Sequence, residues 1–182
     1  MEINCDLGEY ERLSNAHKDA EIMPYIHACN IACGGHAGNQ LTMQHSVELA
    51  LKNAVAIGAH PSYPDAANFG RRSMHLSEVQ LYQTLVEQIK LLKSVVEAKG
   101  GRLHHVKPHG ALYNDASDDF SVAKVVVAAV KAIGCEVKIY GQAHSALAEV
   151  ARSAKWPFVP EGFVDRRYLS RHRLVPRAHR DA

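Results

Sequence analysis

Three segments of this chain each run from apolar residues into a histidine: Ala32-Cys33-Gly34-Gly35-His36, Ile57-Gly58-Ala59-His60 and Val106-Lys107-Pro108-His109. The histidines lie 24 and 49 residues apart, about one and two strand-plus-helix units. A strand that returns in parallel needs a crossover of a dozen or more residues, so this spacing predicts parallel strands whose histidines share one end of a sheet. Active sites of such folds gather at that end. A fourth segment, Ile3-Asn4-Cys5-Asp6-Leu7-Gly8-Glu9, brings Asp6 to the same rim 30 residues before His36 and adds Glu9 beside it. Together these residues read as an enzyme.

The rest of the chain repeats the alternation. Apolar, β-prone runs lie near residues 1–6, 26–33, 54–59, 103–107, 136–140 and 157–163. Between them, Ser77-Glu78-Val79-Gln80 fits a capping box that opens a long helix. Its predicted apolar stripe is Val79, Tyr82, Val86, Ile89, Leu92 and Val96, and Gly100-Gly101 ends it. A second helix is predicted after Ser117, with Asp118 and Asp119 in its first turn, running to Gly134. A third covers about Thr42 to Asn53 and a fourth about His144 to Lys155.

Strand-helix alternation gives a parallel α/β sheet, open or closed as a (β/α) barrel. Polar groups spread over four strand ends favour the barrel, because an open sheet concentrates its ligands at a switch point. A closed barrel usually needs seven or eight strands and roughly 250 residues. With six strand candidates in 182 residues, the expectation is one barrel-like domain over residues 1–182 that lacks its C-terminal third. Arg166, Arg167, Arg171, Arg173, Arg177 and Arg180 crowd a segment of little apolar content, read as a mobile tail or loop.

A net charge of +2, from 21 Lys+Arg against 19 Asp+Glu, argues against nucleic acid or an anionic membrane as partner. No stretch reaches the roughly 20 apolar residues that span a bilayer, and no signal peptide opens the sequence, so a cytoplasmic location is expected. Cys5, Cys29, Cys33 and Cys135 form no CxxC pair and read as small buried residues rather than zinc ligands.

The candidate chemistry lies at the strand ends. Asp6 and Glu9, just past the first strand, can supply a general base and an acid, or a metal ligand; a capping role is the bland alternative. Cys33-Gly34-Gly35-His36-Ala37-Gly38 lets backbone approach a ligand closely and offers N–H groups to a developing oxyanion, although a tight turn would select the same glycines. His60-Pro61 opens a stiff loop, and Arg71 or Arg72 in Phe69-Gly70-Arg71-Arg72 could fork onto a carboxylate or phosphate, or simply be solvated. Lys107, in Lys107-Pro108-His109-Gly110-Ala111-Leu112-Tyr113-Asn114, is expected to be partly desolvated, which lowers an amine's pKa and calls for an acid or anionic substrate. His104 and His105 are expected to point to opposite faces of their strand. His17, His27, His45, His75, His104, His105, His144, His172 and His179 are read as structural or exposed. One Asp and three His from separate strands could also hold a divalent metal.

These motifs, with Asn30-Ile31-Ala32 before Cys33 and Asp165-Arg166 followed by Tyr168, resemble the LamB/YcsF family, described as the A subunit of bacterial 5-oxoprolinase. The resemblance implies a barrel of the glycoside hydrolase/deacetylase type and ATP-dependent opening of 5-oxoproline to L-glutamate, with B and C subunits as partners. It places catalytic positions on Asp6, Glu9, His36, His60, Lys107 and His109, and substrate-binding positions on Asn4, Asn30, Gly34, Gly35, Arg71 and Tyr113. Two departures stand out: Asn39 replaces the usual Asp after His-Ala-Gly, and Ala178-His179-Arg180-Asp181-Ala182 does not continue the family pattern.

Opening a lactam is slow because the amide is resonance-stabilised, so coupling to ATP makes chemical sense. The sequence holds no GxxxxGK[ST] loop and no kinase Gly-rich loop, so ATP is expected to be handled through a partner subunit. Asp6 or Glu9 would act as base, His36 or His60 would carry a proton to the leaving nitrogen, and Lys107 with the Gly34-Gly35 amides would hold negative charge. The alternatives are a metal-dependent deacetylase-like hydrolase and an inactive or regulatory subunit. Self-association is left open by the sequence.

Overall fold

Each of the six apolar runs forms a strand, and all six join one parallel sheet in sequential order. The strands are β1 (Asn4–Leu7), β2 (Ala28–Ala32), β3 (Ala56–His60), β4 (Leu103–Val106), β5 (Lys138–Gln142) and β6 (Phe158–Glu161). The computed structural model describes residues 2–134, 137–170, 173–175 and 179. Cys135, Arg171, His172, Arg177 and Arg180 lie outside the described residues.

Parallel pairing forces each strand to return through a helix, and the helices cover the outer face. They are α1 (His17–Ile22), α2 (Gln40–Lys52), α3 (Glu78–Ala98), α4 (Gly110–Asp118), α5 (Phe120–Lys131) and α6 (Ala146–Ser153). Period-two alternation, with a bulge in β4 that puts Leu103 and Val106 on the same face, sends Ile31, Ile57, Leu103, Val106 and Ile139 outward into one apolar core with Met43, Val47, Leu85, Leu92 and Val130. The opposite, concave face carries polar residues. The sheet curls so far that Asn4 Nδ2 on β1 donates to Glu161 Oε2 on β6 across 3.0 Å. It is nonetheless a curled half-barrel rather than a closed barrel: among the described residues no backbone pairing joins β6 to β1.

Helix starts follow their caps. Ser77 and Gln80 form the expected capping box at α3, while Asn39 caps α2 by accepting from the Leu41 and Thr42 amides. Asn39 is therefore spent on capping. The buried face of α3 is Leu81, Leu85, Ile89, Leu92 and Val96, whereas Val79 is 63% exposed, so the true face is rotated from the expected stripe over the first half of the helix. The helix expected from Ser117 is two helices. Ser117 and Asp118 end α4, which no helical pattern in the sequence announces, and Asp119 caps α5 by accepting from the Ser121 amide.

Of the arginine-rich segment, Arg166 and Arg167 lie in the loop after β6, as expected, whereas β7 (Tyr168–Ser170) and β8 (Arg173–Leu174) pair as a short antiparallel hairpin that takes in Arg173. Arg166 Nη2 donates to the Val175 carbonyl at 2.5 Å, and the Val175 amide donates to the Arg167 carbonyl. No described helix is long and apolar enough to cross a membrane.

Candidate active site

The carboxyl ends of β1 to β4 deliver the polar side chains to one place. Asp6 lies within β1, paired with Asn30 of β2, rather than just past the strand. Glu9 follows two residues after β1, and its loop is fixed by the Gly8 amide donating to Asp19 Oδ2 at 2.7 Å. His60 is the last residue of β3, His36 follows β2 in the glycine loop, and His109 caps α4 just beyond β4. The separation in sequence thus collapses into one cluster.

Glu9 stands at its centre. Its Oε1 is 3.0 Å from His36 Nε2, 3.2 Å from His109 Nδ1 and 4.0 Å from His60 Nε2. The rings of His36 and His109 stack at 3.6 Å with planes 2° apart, and Phe69 meets both edge-on. His60 Nε2 lies 3.0 Å from His109 Nδ1 and 3.4 Å from Asp6 Oδ2. The remaining nitrogens of these two rings meet backbone carbonyls: His60 Nδ1 to Lys107 at 2.7 Å, His109 Nε2 to Phe69 at 3.0 Å. Glu9, His36, His60 and His109 offer four ligand atoms within 4.8 Å of one another, a set able to hold a metal ion. The carboxylate in that set is Glu9, where the strand-end pattern suggests Asp6.

Asp6 is tied to a second network on the concave face. Lys107 Nζ reaches Asp6 Oδ1 at 3.0 Å, Asn4 Oδ1 at 3.1 Å and Glu161 Oε2 at 3.5 Å. Burial alone pulls this amine's pKa down, but the carboxylates of Asp6 and Glu161 outweigh it, so the pKa rises rather than falls as expected. Burial pushes the Asp6 carboxyl up, yet His60 and Lys107 hold it well below the usual carboxylate range. For Glu9 the same contest, with burial raising it against the neighbouring His109 and His36 imidazoles, leaves it at about 2. Burial brings His36 down to about 4, against the pull of Glu9. Both carboxylates are therefore ionised and His36 is neutral near pH 7.

The other expected positions divide. Asn30 donates to Asn4 Oδ1 and Asp6 Oδ1 and lies 2.6 Å from His105 Nε2, so it serves the Asp6 network. The Gly34 amide is already bonded to the Ala37 carbonyl, and a Cβ on Gly35 would meet Gln88 and Ser62 at 2.5 Å, so close packing of side chains explains that glycine. Arg71 is exposed and stacks its guanidinium 5.1 Å from the Phe69 ring centre, at the rim of the cluster. Tyr113 is buried with its hydroxyl unpartnered, and burial with the charge of Glu161 raises its pKa. Cys29 and Cys33 are buried free thiols, pushed up to about 12 by desolvation.

Two residues of the site are not singled out by the sequence motifs. Glu161 ends β6 as His60 ends β3, and the same strand-end logic finds it. Gly70, at φ +62°, leaves room for the stacked rings: a Cβ there would meet His36 Cβ at 2.9 Å and His109 Cδ2 at 3.0 Å. His104 and His105 also depart from strict alternation, because a bulge in the β3–β4 register brings their Nδ1 atoms within 3.1 Å. An open cleft of about 480 Å³, lined by Asp6, Glu9, Tyr10, Asn15, His17 and Asp19 among others, brings solvent to the two carboxylates.

Residues 1–182 match the LamB/YcsF family. This chain belongs to that family. A Bordetella pertussis protein named as the A subunit of 5-oxoprolinase is 41% identical over 182 residues, covering 100% of this chain and 72% of its own length. One of the same name from Heliobacterium modesticaldum is 45% identical over 177 residues, covering 97% and 70%. The crystal structure of a lactam utilization protein from Thermus thermophilus superposes with TM-score 0.91 at 39% identity, covering 97% of this chain and 72% of that one. A putative cellobiose-phosphate cleavage protein from Enterococcus faecalis shares the fold, with TM-score 0.54 at 12% identity, covering 87% and 65%.

Proposed function

We propose that this LamB/YcsF chain is the A subunit of a cytoplasmic 5-oxoprolinase that opens 5-oxo-L-proline to L-glutamate with ATP, together with B and C subunits. The observation that carries the reading is the ionised Asp6 carboxylate beside the Glu9–His36–His60–His109 cluster, on an accessible cleft, in a chain whose relatives bear that name. Lys107 and Asn30 donate to Asp6 Oδ1 and hold the carboxylate charged and oriented, which leaves Oδ2 to accept a proton from an attacking water. His36 is less suited to move that proton, since its Nε2 is engaged by Glu9.

With the amide oxygen phosphorylated by ATP, water adds to the ring carbon and gives its proton to Asp6. The C–N bond then breaks and Asp6 returns the proton to the nitrogen, leaving an acyl phosphate. A second water releases phosphate and glutamate. Arg71, exposed at the rim on Phe69, suits the substrate's carboxylate. Lys107, already shared by Asn4, Asp6 and Glu161, orients Asp6 rather than meeting substrate. The test is reconstitution with the B and C subunits on 5-oxoproline and ATP. Glutamate and phosphate should form in equal amounts; ATP hydrolysis without glutamate, or neither, contradicts the reading.

The donor set of Glu9, His60 and His109 favours a second reading, a metal-dependent hydrolase of N-acyl bonds. A bound divalent ion would there polarise the scissile carbonyl. Turnover of an N-acyl substrate without ATP, lost on chelation, would select it.

A further inference from the structure

Neutral imidazole carries one N–H and one lone pair, and a carbonyl oxygen can only accept. His60 Nδ1, 2.7 Å from the Lys107 carbonyl, therefore carries a hydrogen and leaves its lone pair on Nε2. His109 Nε2, 3.0 Å from the Phe69 carbonyl, does likewise and leaves its lone pair on Nδ1. These two lone-pair nitrogens face each other at 3.0 Å, with the anionic Glu9 Oε1 at 3.2 Å from one and 4.0 Å from the other. Three electron-rich atoms at such distances repel unless a proton or a metal cation sits among them, and a metal cation satisfies all three at once.

We propose that Glu9, His60 and His109 form a binding site for one divalent first-row transition metal ion. Tetrahedral zinc with ligand bonds of about 2.0–2.1 Å sets its donors about 3.3 Å apart, and 3.0, 3.2 and 4.0 Å straddle that edge. Backbone carbonyls holding the far N–H of both rings are the outer-shell support that metal-bound histidines have. Two imidazoles and one carboxylate select zinc, iron, cobalt or manganese over magnesium or calcium. His36 has a different place. Its plane is parallel to His109 and stacked on it, so both lone pairs cannot aim at one point; its Nε2 instead donates to Glu9 Oε1. It is a positioning residue. The Glu9 side chain keeps 25% of its exposure and borders the cleft, so the ion retains an open coordination position, as a catalytic rather than a structural site does. The site rests on geometry alone and does not depend on which substrate the cleft takes.

The test is titration of the purified, chelator-stripped protein with cobalt(II), without substrate or ATP, following the visible ligand-field bands and the stoichiometry. Wild type is expected to bind one ion per chain with bands typical of low coordination number. Glu9→Gln and His109→Gln should lose at least about 100-fold in affinity, while His36→Gln keeps the one-to-one stoichiometry and loses about 10-fold. Circular dichroism and thermal melts certify that each variant is folded. A stripped wild type that takes up no cobalt or zinc stoichiometrically overturns the proposal in favour of a shared proton between His60 and His109. So does a folded Glu9→Gln or His109→Gln variant that binds as wild type does.

Discussion

Asn4 on the first strand donates to Glu161 on the sixth across 3.0 Å, so a hydrogen bond ties the two edges of the sheet where, among the described residues, no backbone pairing does. Lys107 sits beneath that bridge, shared between Asp6 and Glu161, and its side chain is 5% exposed. The buried cation is what allows two carboxylates to approach one another there.

Removing that cation should therefore be costly. Lys107→Met leaves the Glu161 carboxylate, 8% exposed, without its counter-charge, and is expected to destabilise the fold by about 3 kcal/mol. Urea denaturation followed by circular dichroism measures it. Lys107→Met with Glu161→Gln should recover part of the loss; equal stability of Lys107→Met and wild type would refute the account of the concave face.

Acid should unfold the protein partly through His105. Burial, with the charges of His104 and Lys107, holds this imidazole's pKa well below its ordinary value, so it is neutral in the fold. The unfolded chain takes up a proton below about pH 6.5 and the folded chain does not. Stability is then full above that pH and falls as pH drops toward the folded pKa. His105→Gln should flatten the stability–pH slope by up to about 1.4 kcal/mol per unit between about pH 6 and 4. An unchanged slope would show that His105 titrates normally.

Gly70→Ala tests the seat of the stacked rings. The new methyl would crowd His36 and His109 at 2.9 and 3.0 Å and force a non-glycine residue to φ +62°, at a cost of about 1–3 kcal/mol. Loss of activity well beyond that of a Gly134→Ala control is expected. Gly134 also has a positive φ, but a Cβ there meets nothing within 4 Å. Kinetics of the two variants alike would remove Gly70 from the site.

Leu92 anchors α3 in the core at 0% exposure, and Leu92→Ala should cost about 2–5 kcal/mol. Thermal denaturation gives the value; a loss below about 1 kcal/mol would show that the outer layer repacks freely.

The strands are legible because apolar runs and parallel crossovers leave a strong periodic mark, and His36, His60 and His109 follow directly from where those runs stop. Short polar helices leave no such mark. α4 contains Asn114, Asp115 and Ser117 and begins at a histidine cap, so its sequence carries no helical signature; tertiary packing of Ala111, Leu112 and Ala116 makes it a helix. The α3 stripe is misplaced by sequence because Tyr82 and Val79 are apolar on the solvent side, and the buried Gln88 interrupts the true face to clamp the Ser62 backbone. The division of labour between Asp6 and Glu9 is invisible in sequence, since it depends on which carboxylate meets Lys107 and which meets the rings.

Asp6→Asn in the reconstituted complex bears most directly on the central claim. The substitution keeps the shape and leaves Lys107 paired with Glu161, so the fold should persist while kcat for glutamate formation falls by about 100-fold or more. A folded Asp6→Asn enzyme turning over at the wild-type rate would contradict it.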